Sequence, residues 1–245
     1  LEKLLIQTNF ELYQTTMNSP VVIKLGGSFL FKHHDPNIEK IQEMINTLQN
    51  LPNQKLIIVI GGGIIAKQYV TAGLQLKLNP GVNDRLGITV SRLNAQLFIE
   101  ALMNIIPSIY TQVPTTLDEI RQASNTHRIV VTGGLQPGQS TTAVATLIAE
   151  YCQASRILYC TNVAGVYDSN PDENPEAKLL SQVTLKQLES VKGKQIPGQY
   201  DLMDTMSLTV LSRSHIPARI MQGEGELIQR TLLNPGAQIG TKIVY

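Results

Sequence analysis

Val21-Val22-Ile23-Lys24-Leu25-Gly26-Gly27-Ser28 and Lys55-Leu56-Ile57-Ile58-Val59-Ile60-Gly61-Gly62-Gly63 decide the fold. Each is a continuous apolar, β-branched run that breaks on consecutive glycines. The second passes directly into a helix-like segment reaching about Leu76. The pattern returns at Arg128-Ile129-Val130-Val131-Thr132 before Gly133-Gly134, with a helix expected over Ala143 to Tyr151. It returns again at Arg156-Ile157-Leu158-Tyr159-Cys160, which ends at Thr161-Asn162 ahead of a loop rich in Asp, Asn and Pro. Runs without polar alternation are strands buried on both faces, and helices between them make the strands parallel. The sequence therefore predicts an α/β protein with a mainly parallel sheet covered on both sides. Ligands bind such sheets at the carboxyl ends of the strands. Glycine there lets backbone amides approach and face phosphate oxygens, and a following helix adds its positive end. Repeated on four strand ends, the feature predicts several phosphate-sized anion sites along one edge of one sheet.

Composition narrows the partners. Of 245 residues 42% are hydrophobic and 16% charged, so the chain can bury a real core, and disorder is excluded. Twenty basic residues against 19 acidic ones leave a net charge of +1, without the basic surplus of a nucleic-acid binder. With 8 Tyr, 4 Phe and no Trp, stacking platforms are scarce, so binding must rely on backbone and glycine. Cys152 and Cys160 form no CxxC pair and are expected as small buried hydrophobes rather than a disulfide or zinc site. No run of about eighteen apolar residues suggests a membrane span. Leu1 to Pro20 lacks a signal-peptide pattern and reads as an amino-terminal extension, and cytoplasm is the expected compartment. Residues 21–150 and 151–245 read as two lobes of one continuous domain, softly divided after Glu150.

The usual nucleotide signatures are missing. Gly133 to Thr141 holds glycines and hydroxyls but no Gly-Lys-Ser/Thr, and no GxGxxG opens a helix. Ser28, Ser140, Thr141 and Thr142 suit either phosphate oxygens or helix caps, with capping the plainer role for Ser28. His33-His34-Asp35 sits in a polar loop without metal-ligand spacing, and no metal site is expected.

In order along the chain, Lys24-Leu25-Gly26-Gly27-Ser28, Gly61 to Gly63, Asp84 with Gly87, Ser91-Arg92-Leu93-Asn94-Ala95, Gly133-Gly134, and Thr161-Asn162-Val163-Ala164-Gly165-Val166-Tyr167 resemble the motifs of the amino acid kinase superfamily. The resemblance runs from about Val21 to Ile243 and is nearest to uridylate kinases of the archaeal type. It implies a three-layer αβα sandwich with a central, mainly parallel sheet of about eight strands. It also implies transfer of the γ-phosphoryl of ATP to UMP with Mg²⁺, by homo-oligomers that are hexamers built from dimers. The first lobe would bind the phosphoryl acceptor and the second ATP. By the same resemblance, Lys24 would neutralise the transferring phosphoryl, with Gly26, Gly27 and Ser28 beside it. Gly61, Gly62, Lys67, Asp84 and Thr141 would hold UMP, with Asp84 on the ribose. Thr161, Asn162, Tyr167 and Asp168 would lie around ATP, and Asp204 would orient groups near the phosphates.

These roles suit a reaction that mainly requires two phosphates placed in line and spreading negative charge stabilised. Plainer readings stand beside them: a strand-end lysine for Lys24, a turn aspartate after Pro80-Gly81 for Asp84, a helix cap for Asp204. The chain also departs from the family's pattern. Thr142 stands where uridylate kinases carry an aspartate, Ala164 and Asn170 replace two further acids, and Lys67 stands where an arginine is usual. Fewer acids weaken Mg²⁺ binding and favour anions. Two alternatives therefore accompany the kinase reading: a related kinase with another small acceptor, and a non-catalytic nucleotide- or oxyanion-binding protein of the molybdenum-storage type.

Overall fold

The computed structural model describes residues 19–32, 35–171, 173–190 and 203–245. In chain order its elements are β1 (Val21–Leu25), α1 (Gly27–Leu30), β2 (Phe31–Lys32), β3 (Asp35–Pro36), α2 (Ile38–Gln49), β4 (Leu56–Ile60), α3 (Gly63–Gln75) and α4 (Pro80–Met103). There follow α5 (Leu117–Thr126), β5 (Ile129–Thr132), α6 (Thr141–Tyr151), β6 (Arg156–Thr161), β7 (Gln182–Thr184), α7 (Leu185–Ser190), α8 (Thr205–Ser214), β8 (Ala218–Gln222), α9 (Gly225–Leu233) and β9 (Thr241–Val244). The four strands read from the sequence are β1, β4, β5 and β6, which lie side by side in the sheet.

Among the described residues the main sheet has seven strands in the order β5-β4-β1-β6-β8-β9-β7. The first five are parallel, whereas β9 runs antiparallel to β8 and parallel to β7. The chain leaves β1 towards β4 and β5, then returns to the other side of β1 with β6 and β8. This reversal of direction between β1 and β6 opens a crevice at their carboxyl ends.

Alternation along the central strands feeds two cores. Ile23, Leu25, Ile58, Ile60, Leu158 and Cys160 pack with α2, α4 and α9. Val22, Ile57, Val59, Ile157 and Tyr159 pack with α5, α6, α7 and α8. Helices on both faces make the three-layer αβα arrangement. Cys160 is buried and Cys152 half-buried, and both are free thiols. Burial pushes Cys152 up to about 11 and Cys160 up to about 12, so both stay protonated and unreactive at neutral pH.

One local expectation changes. Pro80-Gly81, a turn signal in the sequence, opens the 24-residue α4 instead. Asn79 caps it by accepting from the Val82 amide at 3.0 Å, and proline costs nothing at a first position whose N–H has no helical partner. Asp84 therefore belongs to the first turns of a long helix and is not a turn aspartate.

Candidate active site at the carboxyl edge of the sheet

The glycine turns after β1 and β4 press against each other. A Cβ on Gly27 would lie 1.9 Å from the Gly63 nitrogen, and one on Gly61 would lie 2.8 Å from the Gly27 nitrogen. Gly63 also takes φ +63°. Only glycine permits two backbones this close, so Gly26, Gly27 and Gly61 to Gly63 form one continuous main-chain surface at the end of the sheet. The Gly61 amide donates to Leu25 O at 3.0 Å and the Gly26 amide to Cys160 O at 3.2 Å, which locks the surface to β1 and β6.

Lys24 lies one residue before this surface on β1. In register it faces Val59 on one side and Tyr159 on the other, on the sheet face covered by α6 and α8. It is half-buried, and burial holds its ammonium below the ordinary lysine range. Among the described residues no carboxylate stands within ion-pair reach of it. Thr142 is buried on α6, and Thr146 one turn later donates back to Thr142 O and meets the Tyr159 hydroxyl at 2.7 Å. The side of α6 that faces β1 and β6 is thus lined by hydroxyls.

Two helix starts converge beside this side of α6. Ser140 caps α6 by accepting from the Ala143 amide at 3.0 Å. Asp204 caps α8 by accepting from the Ser207 amide at 2.7 Å, and it also accepts the Ser140 hydroxyl. Burial raises the Tyr159 hydroxyl above its usual range, and the nearby Asp204 charge pushes in the same direction. Asp204 is therefore a helix cap and also a charged neighbour of the crevice.

Helix α4 ties the turns together through Asp84, already a candidate, and through Ser91, Arg92 and Asn94, for which the sequence suggested no role. Buried Asn94 donates from Nδ2 to Gly61 O at 2.9 Å. Buried Ser91 accepts from the Gly134 amide at 2.8 Å. Arg92 donates to Gly134 O and Leu135 O at 2.9 and 3.0 Å. At the start of the helix Asp84 accepts from the Gly138 amide at 2.7 Å. A single rigid helix thereby sets the spacing between the turn after β4 and the loop that leads into α6. Two polar residues three apart on an otherwise apolar helix face were the available sign of this, but their partners lie 33 and 43 residues away.

The other candidates take varied places. Lys67 is exposed on the second turn of α3, and Thr141 is half-buried at the first position of α6. Thr161 ends β6 beside Gly26, and its hydroxyl donates to Asn162 Oδ1 at 3.0 Å. Gly26, Thr161 and Asn162 line a cavity of about 200 Å³ with Phe29, Lys40 and Gly223. Tyr167 pairs with Leu179 across an isolated bridge. Asp168 accepts from the Lys178 amide at 2.9 Å, a bond that holds its carboxyl below the usual range. Its carboxylate is thus engaged within its own loop. The side chain of Ser28 lies outside the described residues, as do His33 and His34.

The profile of the amino acid kinase family matches residues 19–222. The uridylate kinase of Hyperthermus butylicus is 35% identical over 226 residues, covering 91% of this chain and 97% of that protein. The uridylate kinase of Sulfurisphaera tokodaii is 38% identical over 206 residues, covering 82% and 88%. Among solved structures, uridylate kinase from Archaeoglobus fulgidus superposes with a TM-score of 0.79 at 33% identity, covering 91% of this chain and 99% of that one. A UMP kinase from Bacillus anthracis shares the fold with a TM-score of 0.77 at 21% identity.

Proposed function

The chain belongs to the amino acid kinase family, and on that footing we propose that it transfers the γ-phosphoryl of ATP to UMP, giving ADP and UDP. The observation that carries the reading is the joined glycine surface with Lys24 beside it, in a chain 35% to 38% identical to uridylate kinases over most of its length. Neither another acceptor nor a storage role gains support from these relatives.

In this reading the amides of Gly61 and Gly62, with the start of α3, bind the UMP phosphate. Lys67 reaches it as a point charge from the second turn. Asp84 keeps one carboxylate oxygen for the ribose hydroxyls while the other holds Gly138. Gly26, Gly27, Ser28, Thr161 and Asn162 bind the phosphates of ATP, and Tyr167 and Asp168 flank its nucleoside. The two phosphates then meet over Lys24. Its burial without a carboxylate leaves a cation whose partner is supplied by the transferring phosphoryl, where charge spreads in the transition state. No nucleophile on the protein is needed, because the acceptor phosphate oxygen attacks directly.

Mg²⁺ would arrive with ATP. Among the described residues no three His, Cys, Asp or Glu side chains cluster to hold a metal ion. One carboxylate, Asp204, lies at the crevice, and Mg²⁺ commonly takes one or two carboxylates plus substrate phosphates, so the residues present fit a phosphate-held ion. Its chemistry when bound is neutralisation of the phosphate oxygens. Residues 21–150 form the acceptor lobe and residues 151–245 the ATP lobe of this one domain; the expected extension over residues 1–20 lies, but for residues 19 and 20, outside the described residues. Exposed apolar side chains on α3 and α4, among them Tyr69, Leu74, Leu93 and Leu97, support a homo-oligomer, which we take as a hexamer built from dimers in the cytoplasm. No helix among the described residues is long and apolar enough to cross a membrane.

ADP release coupled to NADH oxidation tests the reading across a panel of nucleoside monophosphates. UMP is expected to be the preferred acceptor, and Lys24→Ala is expected to abolish release while leaving the circular dichroism spectrum unchanged. A folded protein idle at millimolar UMP, or one that prefers another monophosphate, would contradict it.

A further inference from the structure

At the end of the sheet opposite the glycine turns, where β6 and β8 begin, lies a cavity of about 860 Å³. Strand register builds its cationic floor. Leu158 pairs with Arg219 across β6 and β8, and Arg219 pairs with Lys242 across β8 and β9. Arg156 lies two residues before Leu158, so Arg156, Arg219 and Lys242 project from three adjacent strands onto one face. On this face α9 packs beside α2, whereas β9 and β7 send their buried side chains, Ile243 and Val183, into the opposite core. The cavity is the space left past the end of α9, walled by Leu232 and Pro235 and rimmed by Asn53.

The charge in this space is unbalanced. Among the described residues no Asp or Glu lines it, and none of the three cations has a carboxylate within ion-pair reach. Arg156 gives one N–H to Thr231 O at 3.3 Å, and Arg219 gives one to Ile239 O. Burial lowers both guanidinium groups, and the charge of Arg219 lowers Arg156 further. The carbonyl end of α9 contributes roughly half a negative charge. Three positive charges outweigh it, and the two half-buried guanidinium groups, with no acid beside them among the described residues, favour an incoming anion.

We propose that this cavity is a second binding site, distinct from the carboxyl edge, for a small phosphorylated molecule with an apolar portion. Guanidinium forks match phosphate oxygens bidentately, and the prolyl and leucyl wall accepts the uncharged part. Among the described residues no aromatic side chain lines the cavity, so these offer no stacking surface for a nucleobase and suit an aliphatic or sugar phosphate.

Calorimetric titration of the full chain with inorganic pyrophosphate tests this. Wild type should show two classes of site, with Lys24→Ala losing one. The double variant Arg156→Gln/Arg219→Gln should lose the other, its affinity falling about tenfold or more, as expected for removal of charged hydrogen bonds. Lys242→Glu, at an exposed strand position, should weaken the same class and guards against a fold defect in the double variant. ADP release with ATP and UMP should be unchanged in these cavity variants, so this site and the kinase reading fail separately. Pyrophosphate binding that is identical in wild type, the double variant and Lys242→Glu overturns the proposal. Binding of citrate in place of pyrophosphate overturns the phosphate assignment.

Discussion

Replacing Asn94 by alanine tests whether α4 sets the turn after β4. The amide of Asn94 is 3% exposed and is the side-chain donor to Gly61 O, which is itself buried. Truncation leaves that carbonyl unsatisfied, at about 1–3 kcal/mol, and the small void adds about 1 kcal/mol. A loss of about 2–4 kcal/mol in a chain of this size lowers Tm by about 5–15 °C. The loosened turn is the one assigned to the acceptor phosphate, so KM for UMP should rise more than kcat falls. Scanning calorimetry and steady-state kinetics with varied UMP read both effects. Asn94→Asp sharpens the case, because its volume is nearly unchanged while its ionised form has no proton to donate. Burial beside a carbonyl raises that carboxyl above its unfolded value near about 4. Its protonated form can donate to Gly61 O, so the variant is most stable in acid, below the unfolded pKa. That stability is lost as pH rises towards the folded pKa, and its deficit against wild type grows towards neutrality. An Asn94→Ala protein that melts within a degree of wild type with an unchanged KM for UMP refutes the reasoning.

Further outcomes follow from the same contacts. Lys24 is lowered by burial, so kcat/KM should decline on the alkaline side below the ordinary lysine range as Lys24 loses its proton. Thr142→Asp places a carboxylate on the side of α6 facing β1 and should move that limb upward by about 1–3 pH units; a limb that stays in place contradicts the assignment. Asp204→Ala removes the cap of α8 and the acceptor for Ser140, and should cost about 1–2 kcal/mol by urea unfolding. Asp84→Asn keeps an oxygen for the Gly138 amide and should retain the wild-type Tm while raising KM for UMP. An equal loss of stability in Asp84→Asn and Asp84→Ala would remove that distinction.

The central sheet was legible because its strands are buried on both faces and so read as unbroken apolar runs. The glycine turns were legible because consecutive glycines follow each run. What those glycines do was only half visible. The sequence suggested amides for phosphate, whereas the contact of Gly27 with Gly63 shows that two turns must also fit against each other. The contacts made by Asn94, Ser91 and Asp84 escaped for a related reason. Their partners are main-chain groups 33 to 54 residues distant, and periodicity along a helix carries no sign of them. Strands β7 and β9, at one end of the sheet, were missed because each is short and alternates buried with exposed residues. The start of α4 was obscured by Pro80-Gly81, which signals a turn unless the preceding Asn79 is read as its cap. That Ser140 to Thr142 brings hydroxyls and no carboxylate was visible in the sequence. Its consequence, a half-buried lysine with no carboxylate within ion-pair reach among the described residues, needed the packing of α6 on β1.

The most direct measurement is phosphorus NMR of the full chain with Mg²⁺, ATP and UMP. The lysine and joined glycine turns predict that the UMP resonance declines in step with the growth of the paired UDP and ADP signals, and that Lys24→Ala leaves the spectrum of the mixture unchanged. Persistence of ATP and UMP with folded wild-type protein, or UDP formation undiminished by Lys24→Ala, would contradict it.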